Sequence, residues 1–363
     1  MVKAKYDHYM LKEIYDEPKA VELTARSGEK ELLKIARALR YRNPKRICLT
    51  GCGSSYYASM AGKYAFEEFT KIPSSAVPAL EFVHYASSAI DAESLVFCLS
   101  QSGETIETLR ALRRAKANGA YAIGLTNDEK SSLAKKAHVA ILTSAGAEIG
   151  PGTKTVVTQM MLIYKFALIM ADVMGSYAPS ELNRMISALR VEIPKTLARA
   201  IKSKDGSLRA LAGKYKEMED VYIVGSGPCF PCALQASNLI KEATSIHAEA
   251  FSVEEFRHGP MEILDRDSVF IAINPPGVGR ASLLRLIGRV KKIGTSVISL
   301  ASEGDADTGK MSDEVISMPG NIDEWRASFL YLPILQLFAY HLAVERDINP
   351  DHFRNIRKTW TIE

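Results

Sequence analysis

The chain has 363 residues, which is enough for two domains of ordinary size. Apolar residues make up 47 % and charged residues 24 %, so core-forming side chains accompany a solvated surface. The net charge of +4 comes from 46 basic and 42 acidic residues without a dense basic run, which argues against a nucleic-acid-binding protein.

The N-terminal segment MVKAKYDHYMLKEIYDEP predicts an amphipathic helix and contains no apolar signal core. The five cysteines are an odd number in a chain without a signal sequence, which indicates reduced thiols and a cytoplasmic location. Two apolar stretches, 159–174 and 329–344, are shorter than the roughly 20 residues of a membrane span. They contain Lys165 and Pro333, so we predict buried helices and no membrane partner.

The sequence contains two copies of an α/β unit. RICLTGCG at 46–53 and DVYIVGSG at 220–227 each join an apolar strand to a Gly-x-Gly turn and a helical pattern. In both copies, 52 residues lead from the first glycine of this turn to a second glycine loop that also follows an apolar strand, at Gly103 and at Gly277. Strands that alternate with helices predict two mostly parallel sheets, each covered by helices on both faces.

The repeat determines the predicted domain organisation, which is two doubly wound α/β domains with helical additions. The segment between the two copies is polar, has a helical period and is punctuated by prolines. We predict an N-terminal helical segment at 1–37, a first domain at 38–177, a helical connector at 178–211, a second domain at 212–345 and a C-terminal tail at 346–363.

A ligand is expected at the loops that follow the strands, because open α/β sheets bind ligands at the carboxyl ends of their strands. In the first repeat, Ser100-Gln101-Ser102-Gly103-Glu104-Thr105 surrounds one glycine with small polar side chains directly before a helix. Backbone N–H groups, hydroxyls and the positive end of the helix would converge there, which is the chemistry of a phosphate site without Lys or Arg. The neighbouring loop adds Ser54 and Ser55.

Two other interpretations of these loops stay open at this point. Ser102 ahead of Thr105 is also typical of an ordinary helix N-cap. The Gly51-x-Gly53 turn and its copy resemble the start of a dinucleotide fingerprint, although neither continues to the third glycine of G-x-G-x-x-G. The second repeat has Asn-Pro-Pro-Gly at 274–277 in place of the hydroxyl-rich loop, so we expect phosphate to bind in this way only in the first domain.

Four motifs carry a resemblance to a known family: GCGSSY at 51–56, LSQSGET at 99–105, EATSIHAEAFSVEEFRHGP at 242–260 and RNIRKTWTIE at 354–363. Together they resemble the isomerase half of glutamine–fructose-6-phosphate aminotransferase, the glucosamine-6-phosphate synthase family, and they occur in its order. The opening DHYMLKEIYDEP is similar to the first helix of that half. The resemblance covers nearly the whole chain. It implies a double SIS-domain fold, a phosphosugar substrate, no cofactor and a homodimer with a shared active site.

The resemblance implies that a set of hydroxyl and amide side chains holds the substrate phosphate, in agreement with the loop chemistry. This set consists of Ser54, Ser55, Ser100, Gln101, Ser102 and Thr105.

The resemblance also implies three catalytic residues. Glu242 would move a proton between C1 and C2 of the sugar, a task that suits a positioned carboxylate, with Glu249 as the competing candidate. His258 would open the sugar ring and reach into the neighbouring subunit's site, because a neutral imidazole suits proton transfer near pH 7. Lys358 would form a Schiff base with the open ketose, which requires a deprotonated amine. Without the resemblance, these residues would be interpreted as a helix-surface Glu, a structural His and a solvated basic tail.

Three departures from the family pattern bear on the substrate. The family has a second Lys one turn before the catalytic Glu, where this chain has Asn238, so a proton carrier for imine chemistry is missing. The loop Gly150-Pro151-Gly152-Thr153 is shorter than that of the family and lacks its Ser, and we expect these four residues to contact the sugar. Arg357 replaces a small residue before the Schiff-base Lys and is a further candidate sugar contact.

The family's synthase carries an N-terminal glutaminase domain, and only a few residues precede DHYMLKEIY here. We therefore predict a deaminase or isomerase that interconverts glucosamine 6-phosphate with fructose 6-phosphate and ammonia. One alternative is a synthase subunit that uses free ammonia or a separate glutaminase partner. Another is a fructosamine-6-phosphate deglycase. A third is a non-catalytic phosphosugar sensor, which the three retained catalytic residues oppose.

Cys229-Phe230-Pro231-Cys232 forms a C-x-x-C motif before a helix, where thiolates are favoured. A redox role is one interpretation, and small residues that line a loop are the other. A single C-x-x-C is a poor zinc site because zinc takes four ligands, and the histidines show no metal spacing, so we predict no metal.

Overall fold

The computed structural model describes residues 6–320, 322–356 and 358, and its elements follow the predicted alternation of strands and helices. The strands are β1 (Arg46–Gly51), β2 (Ser74–Pro78), β3 (Ser94–Leu99), β4 (Tyr121–Thr126), β5 (Val139–Leu142), β6 (Asp220–Gly225), β7 (His247–Ser252), β8 (Val269–Asn274), β9 (Ser296–Ser302) and β10 (Glu314–Met318). The helices are α1 (Tyr9–Arg26), α2 (Glu29–Arg42), α3 (Ser54–Thr70), α4 (Ala79–Glu81), α5 (Ile106–Ala117), α6 (Ser132–Lys136), α7 (Lys154–Met174), α8 (Pro179–Ser187), α9 (Ile193–Tyr215), α10 (Phe230–Thr244), α11 (Val253–Arg257), α12 (Arg280–Ile293), α13 (Ala306–Met311) and α14 (Glu324–Glu345).

The ten strands form two parallel five-stranded sheets with the same topology. The first sheet has the order β2-β1-β3-β4-β5 and the second has the order β10-β9-β8-β6-β7. Numbered from the first strand of each copy, both orders are 2-1-3-4-5, and every pairing is parallel. The prediction of two doubly wound α/β domains is therefore confirmed.

The composition of the strands explains why they form parallel sheets. Strand β3, SLVFCL, and strand β8, VFIAIN, are buried at all six positions. Strands that helices cover on both faces need apolar side chains pointing both ways, so they form continuous apolar runs without polar alternation. This run pattern is the signal that distinguishes them from the strands of a half-exposed antiparallel sheet.

The chain divides into two compact units, and neither is continuous in sequence. The unit with the first sheet comprises residues 16–148, 154–194 and the described residues after 354. The unit with the second sheet comprises residues 6–15, 149–153 and 195–354. Residues 149–153 thus belong with the second sheet, which contiguous boundaries drawn from the sequence do not anticipate.

Helices α7 and α14 are long and apolar enough to cross a membrane, but they are core helices of the protein. Within the most apolar part of each helix, 89 % of α7 and 94 % of α14 is buried. In the first unit, Phe166 of α7 packs against Phe97 of β3 and Phe66 of α3, with ring centroids 5.8 and 6.5 Å away. The prediction of buried helices at 159–174 and 329–344 agrees with this burial.

Lys165 is the charged residue inside the apolar helix α7, and only 4 % of it is exposed. Its ammonium donates to the carbonyl oxygen of Thr24, at 3.3 Å, and to that of Ser27. Burial and the nearby charge of Arg190 lower the pKa of Lys165 to about 8. The unfolded chain therefore binds more protons than the folded chain between about pH 8 and 10.5, and folding gains stability as the pH rises through that window.

We expect the free energy of unfolding of the wild type to rise relative to Lys165→Met by up to about 3 kcal/mol between pH 7.5 and 10.5. Urea denaturation of both proteins at several pH values measures this difference. Lys63→Met is the matched control, because Lys63 lies near the surface beside Glu67 and the substitution removes the same side chain. A Lys165→Met difference that stays constant over this range would contradict the lowered pKa.

Candidate active site

The first sheet places two glycine loops at the predicted position. Strands β1 and β3 are neighbours, with Thr50 paired to Cys98, and their following connections lead to opposite sides of the sheet order. This topological switch point opens a crevice outside the carboxyl ends of the strands. Gly51 is needed for the close approach of the two strand ends, because a Cβ there would lie 3.0 Å from the carbonyl oxygen of Leu99.

The loop after β3 is held in shape by its own hydroxyls. The hydroxyls of Ser100 and Thr105 lie 2.9 Å apart, and the N–H of Gly103 donates to Ser100 Oγ at 3.0 Å. The N–H of Glu104 donates to Ser102 Oγ at 3.2 Å. The polar residues on both sides therefore fold around Gly103, whose φ of +67° places it in the left-handed region.

The same loop is anchored to the strand beside it. The carbonyl oxygen of Gln101 accepts from Asn127 N, at 3.0 Å, and from Thr126 Oγ1, at 3.1 Å. The carboxylate of Glu104 accepts from Ser132 N at 2.7 Å and so turns towards the start of α6. These bonds orient the loop before any ligand binds, which is the preorganisation that a binding site needs.

The structure decides between the interpretations of this loop. Helix α5 begins at Ile106, and its N-cap residue Thr105 makes no side-chain capping bond, so the cap interpretation of Ser102 is wrong. Helix α3 also begins uncapped after Gly53. Uncapped N-terminal N–H groups and the helix dipole favour an anion at this edge. The sheet order 2-1-3-4-5 also differs from the 3-2-1-4-5-6 order of the dinucleotide fold.

Gly103 is the residue on which the loop conformation depends. Replacement by Ala is expected to destabilise the protein by about 1–3 kcal/mol, because the added Cβ would overlap the Ser131 side chain and Ala disfavours the left-handed region. The Gly103→Ala variant should also bind phosphate more weakly than the wild type. Thermal unfolding with and without inorganic phosphate measures both effects. Gly146→Ala is the control, since Gly146 also has a positive φ but has open space around it. Equal losses in both variants would contradict the role of the overlap.

The second hydroxyl loop supplies Ser54 and Ser55 at the start of α3. Ser55 is 7 % exposed, and its Oγ accepts from Gln159 Nε2 at 3.1 Å. Ser54 is the first residue of the helix and is partly exposed. The amide of Gln159 fixes the rotamer of Ser55. No sequence pattern selects Gln159, because it lies 104 residues away on the mainly apolar helix α7.

Lys358 lies in the same unit and pairs with Glu148. Its ammonium is 3.2 Å from the Glu148 carboxylate and 2.9 Å from the Glu148 carbonyl oxygen. The carboxylate also accepts from the N–H and the hydroxyl of Thr155, at 3.0 and 2.6 Å. Only 1 % of the Glu148 side chain and 25 % of that of Lys358 are exposed. A buried carboxylate of this kind is stable only when it is paired, and it is the acceptor within reach of the amine's proton.

Glu148 is therefore a candidate functional residue that the sequence analysis missed, since a single Glu before a glycine loop has no distinctive spacing. Arg357, the predicted sugar contact next to Lys358, lies outside the described residues.

Glu242 belongs to the unit with the second sheet and lies on α10. Asn238, one turn earlier on the same helix, donates from Nδ2 to Glu242 Oε1 at 2.8 Å. Glu242 is partly buried, so a neutral amide orients a carboxylate that is shielded but still accessible. The competing residue Glu249 lies on β7 and is 3.7 Å from His247, a surface pairing that leaves it a less suitable base.

His258 also lies in this unit, at the end of the short helix α11. Its backbone N–H donates to the carbonyl oxygen of Glu255 at 3.1 Å, and its side chain is exposed. The following Gly259 has φ +134°, so the chain turns sharply after the histidine. The sequence Arg-His-Gly-Pro thus presents an imidazole at a turn on the surface of the unit.

The predicted sugar loop is tied down by its backbone. The N–H of Gly150 donates to the carboxylate of Glu13 at 3.2 Å, and the carbonyl oxygen of Gly152 accepts from Gln235 at 2.9 Å. Pro151 and Thr153 are buried. Sugar contacts from these four residues stay a prediction, as do the catalytic roles above. The phosphate loops and Lys358 lie in the unit with the first sheet. Glu242, His258 and the 150–153 loop lie in the unit with the second sheet.

The C-x-x-C motif does not have the surroundings of a redox site. Cys229 and Cys232 are both free and fully buried. Burial raises the pKa of Cys232 to about 12 and that of Cys229 well above its ordinary value. Thiols that stay protonated at neutral pH are poor nucleophiles, so the motif is core packing.

Comparison with known families agrees with the geometry of the two sheets. The SIS domain family matches residues 40–169 and 214–346, which contain the first and the second sheet. The chain belongs to the SIS domain family. The resemblance noted from the four motifs is therefore confirmed, and the two repeats are two SIS domains.

Similar proteins extend the comparison beyond single SIS domains. Glutamine–fructose-6-phosphate aminotransferase (isomerizing) of Methanothermobacter thermautotrophicus is 35 % identical over 99 % of this chain and 58 % of its own length. The chain thus spans less than two thirds of the length of such relatives. The solved C-terminal domain of glucosamine-fructose-6-phosphate aminotransferase from Francisella tularensis is 29 % identical, with a TM-score of 0.86 over 96 % of this chain and 99 % of that domain.

A further solved structure shows the same fold at lower identity. Glucosamine-6-phosphate deaminase from Thermotoga maritima is 21 % identical, with a TM-score of 0.69 over 97 % of this chain and 99 % of that protein. The double SIS architecture thus occurs among aminotransferases and deaminases of sugar phosphates. The predicted class of phosphosugar enzyme agrees with these similarities.

Proposed function

We propose that the protein is a phosphosugar enzyme that interconverts glucosamine 6-phosphate with fructose 6-phosphate and ammonia. The observation that carries the proposal is the pair of hydroxyl-lined glycine loops at two uncapped helix N-termini in the first SIS domain. Such loops bind a phosphate monoester through N–H and O–H donors without a basic side chain.

The names of the most similar relatives support an aminosugar reaction. Those that share 32–35 % identity along 99 % of this chain are isomerizing aminotransferases of fructose 6-phosphate. The solved deaminase shares the fold. A common site chemistry, in which an amine and a ketose exchange through an imine, explains why both activities suit this architecture.

In the proposed mechanism, the loops of the first SIS domain hold the phosphate and so position the sugar. His258 opens the ring by proton transfer, and Lys358 forms an imine with the open ketose after its proton passes to Glu148. The imine forms with loss of water, and ammonia then displaces the Lys358 amine from C2. Glu242 removes a proton from C1 of the resulting imine and returns it to C2 while the C1 hydroxyl loses its proton, which gives the open-chain aminoaldose; deamination reverses these steps. The Asn238 amide keeps the Glu242 carboxylate in one rotamer during both transfers.

The exposed position of His258 supports an assembly in which this residue serves a second copy of the chain. We propose a homodimer of this kind in the cytoplasm, in agreement with five free cysteines and no disulfide among them. Size-exclusion chromatography with light scattering tests the dimer, and a monomer at micromolar concentration that is fully active would contradict it.

The decisive experiment incubates the purified chain with glucosamine 6-phosphate and assays ammonia and fructose 6-phosphate separately. Release of both in equal amounts supports the proposal. No release of either product contradicts it. Non-phosphorylated glucosamine is the control, because the loops require the phosphate and turnover should fall by several orders of magnitude without it.

The aminating direction is the second candidate, and the names of the relatives favour it. It predicts that fructose 6-phosphate in ammonium buffer yields glucosamine 6-phosphate, and that glutamine replaces ammonium only when a separate glutaminase is added. No comparison favours a conjugate deglycase or a non-catalytic sensor. A binding assay that shows phosphosugar affinity without turnover in either direction would favour the non-catalytic sensor.

A further inference from the structure

The second SIS domain has its own switch point, and a carboxylate of the protein occupies it. Strands β6 and β8 are neighbours there, as β1 and β3 are in the first sheet. The loops that follow them are Ser226–Gly227 and residues 275–279, and α12 begins directly after the second loop. This edge is therefore the counterpart of the phosphate site in the first domain.

Glu324, the first residue of α14, reaches into this crevice. Its Oε2 accepts from the backbone N–H of Val278 at 3.3 Å, and the N–H of Gly279 also bonds to its carboxylate. The N-cap of α12, Gly279, has no side-chain capping bond, so Glu324 supplies the anion that the helix start attracts. Among the described residues, no cation forms an ion pair with this carboxylate.

The glycines around Glu324 show how closely the loops surround it. A Cβ at Gly277 would lie 2.5 Å from the carboxyl carbon of Glu324. A Cβ at Gly227 would lie 3.6 Å from Glu324 Oε1, and one at Gly279 would lie 2.5 Å from Ser226 Oγ. The absence of side chains at these positions leaves a cradle of backbone N–H groups, and the carboxylate lies within it.

The two domains differ at the first residue of the helix that follows the last strand of each sheet. Helix α7 follows the last strand of the first sheet and begins with Lys154, whereas α14 follows the last strand of the second and begins with Glu324. The second repeat has thus exchanged hydroxyl donors in its loop for a carboxylate at its helix start. Since the Glu324 carboxylate already accepts hydrogen bonds from the backbone N–H groups, hydroxyls that would bind a phosphate have no role in the second repeat.

We propose that the second SIS domain retains a phosphate-type anion site and that Glu324 occupies it as an internal ligand. The tethered carboxylate excludes a phosphate monoester from this repeat and keeps substrate binding in the first domain. Half-burial raises the pKa of Glu324, while the two backbone N–H groups favour its charged form. The inference concerns anion binding only and does not depend on the proposed catalytic activity.

The test counts phosphate sites by equilibrium dialysis of the full chain against labelled inorganic phosphate. Glu324→Ala should bind one phosphate per chain more than the wild type, at millimolar concentration. Asp307→Ala is the control, since it removes one negative charge as Glu324→Ala does. Asp307 is an exposed carboxylate that pairs with Arg280, and this variant should bind as much phosphate as the wild type. Because the result is a difference between variants, it is independent of whether the first domain binds phosphate. Equal numbers in Glu324→Ala and the wild type would overturn the proposal.

A second variant covers the case in which Glu324→Ala does not fold. Glu324→Gln keeps the volume of the side chain but offers the two backbone N–H groups only one acceptor oxygen beside an NH2 donor, so we expect a lower urea midpoint than that of the wild type. Asp307→Asn is the control and should unfold at a midpoint close to that of the wild type. A Glu324→Gln midpoint equal to that of the wild type would contradict an anion held by the cradle.

Discussion

Replacement of Glu242 by Gln is expected to lower the turnover of glucosamine 6-phosphate by about 10³-fold, because an amide cannot carry the proton between C1 and C2. The fold should be unaffected, since the amide oxygen of the Gln side chain can still accept from Asn238 Nδ2. In the wild type this nitrogen lies 2.8 Å from Glu242 Oε1. Incorporation of deuterium from D₂O into the sugar measures the proton transfer directly, apart from ring opening and imine formation. Exchange should stop in the variant while phosphosugar binding persists.

Glu249→Gln is the matched control for this prediction. Glu249 is the other carboxylate of the EATSIHAEAF motif, but it lies on β7 beside His247 and is accessible at the surface. Its loss should change turnover by less than about twofold, since surface substitutions away from a site have small effects. Full activity of Glu242→Gln, or a larger loss in Glu249→Gln, would remove Glu242 from the mechanism.

Replacement of Lys358 by Met is expected to abolish imine formation and to lower turnover by at least about 10³-fold. Borohydride reduction in the presence of fructose 6-phosphate should attach the sugar covalently to the wild-type chain, and mass spectrometry should locate the adduct on Lys358. Lys358→Met should give no adduct. The Lys358 ammonium is held by the side chain and the carbonyl oxygen of Glu148, so its position is determined before substrate binds.

Two further variants make the Lys358 experiment selective. Lys241→Met removes an exposed amine next to Glu242 and should leave trapping unchanged. Glu148→Gln keeps one oxygen that accepts from the Thr155 N–H but removes the carboxylate that accepts the amine's proton, and trapping should slow by about 10²-fold. An adduct that persists in Lys358→Met, on another lysine, would show that the amine has been misassigned.

The sequence by itself determined the architecture and the chemistry of the phosphate loops. Strand burial on both faces, glycine turns and helical periods are local patterns, so RICLTGCG and LSQSGET predicted parallel strands that end in polar loops. The repeat, with the same spacing of 52 residues between glycine loops in both copies, predicted a second, mostly parallel sheet. These properties depend on residues close together in the chain, where spacing and side-chain type decide which face is buried.

Only the tertiary structure decided which distant residues serve these loops. Glu148 meets Lys358 from 210 residues away, and Gln159 meets Ser55 from 104 residues away. Glu324 reaches Val278 from 46 residues away and fills the cradle of the second repeat. No periodicity connects such pairs, because the contact depends on the path of the chain across whole sheets. A buried carboxylate without local spacing becomes recognisable only when the group that satisfies it is seen beside it.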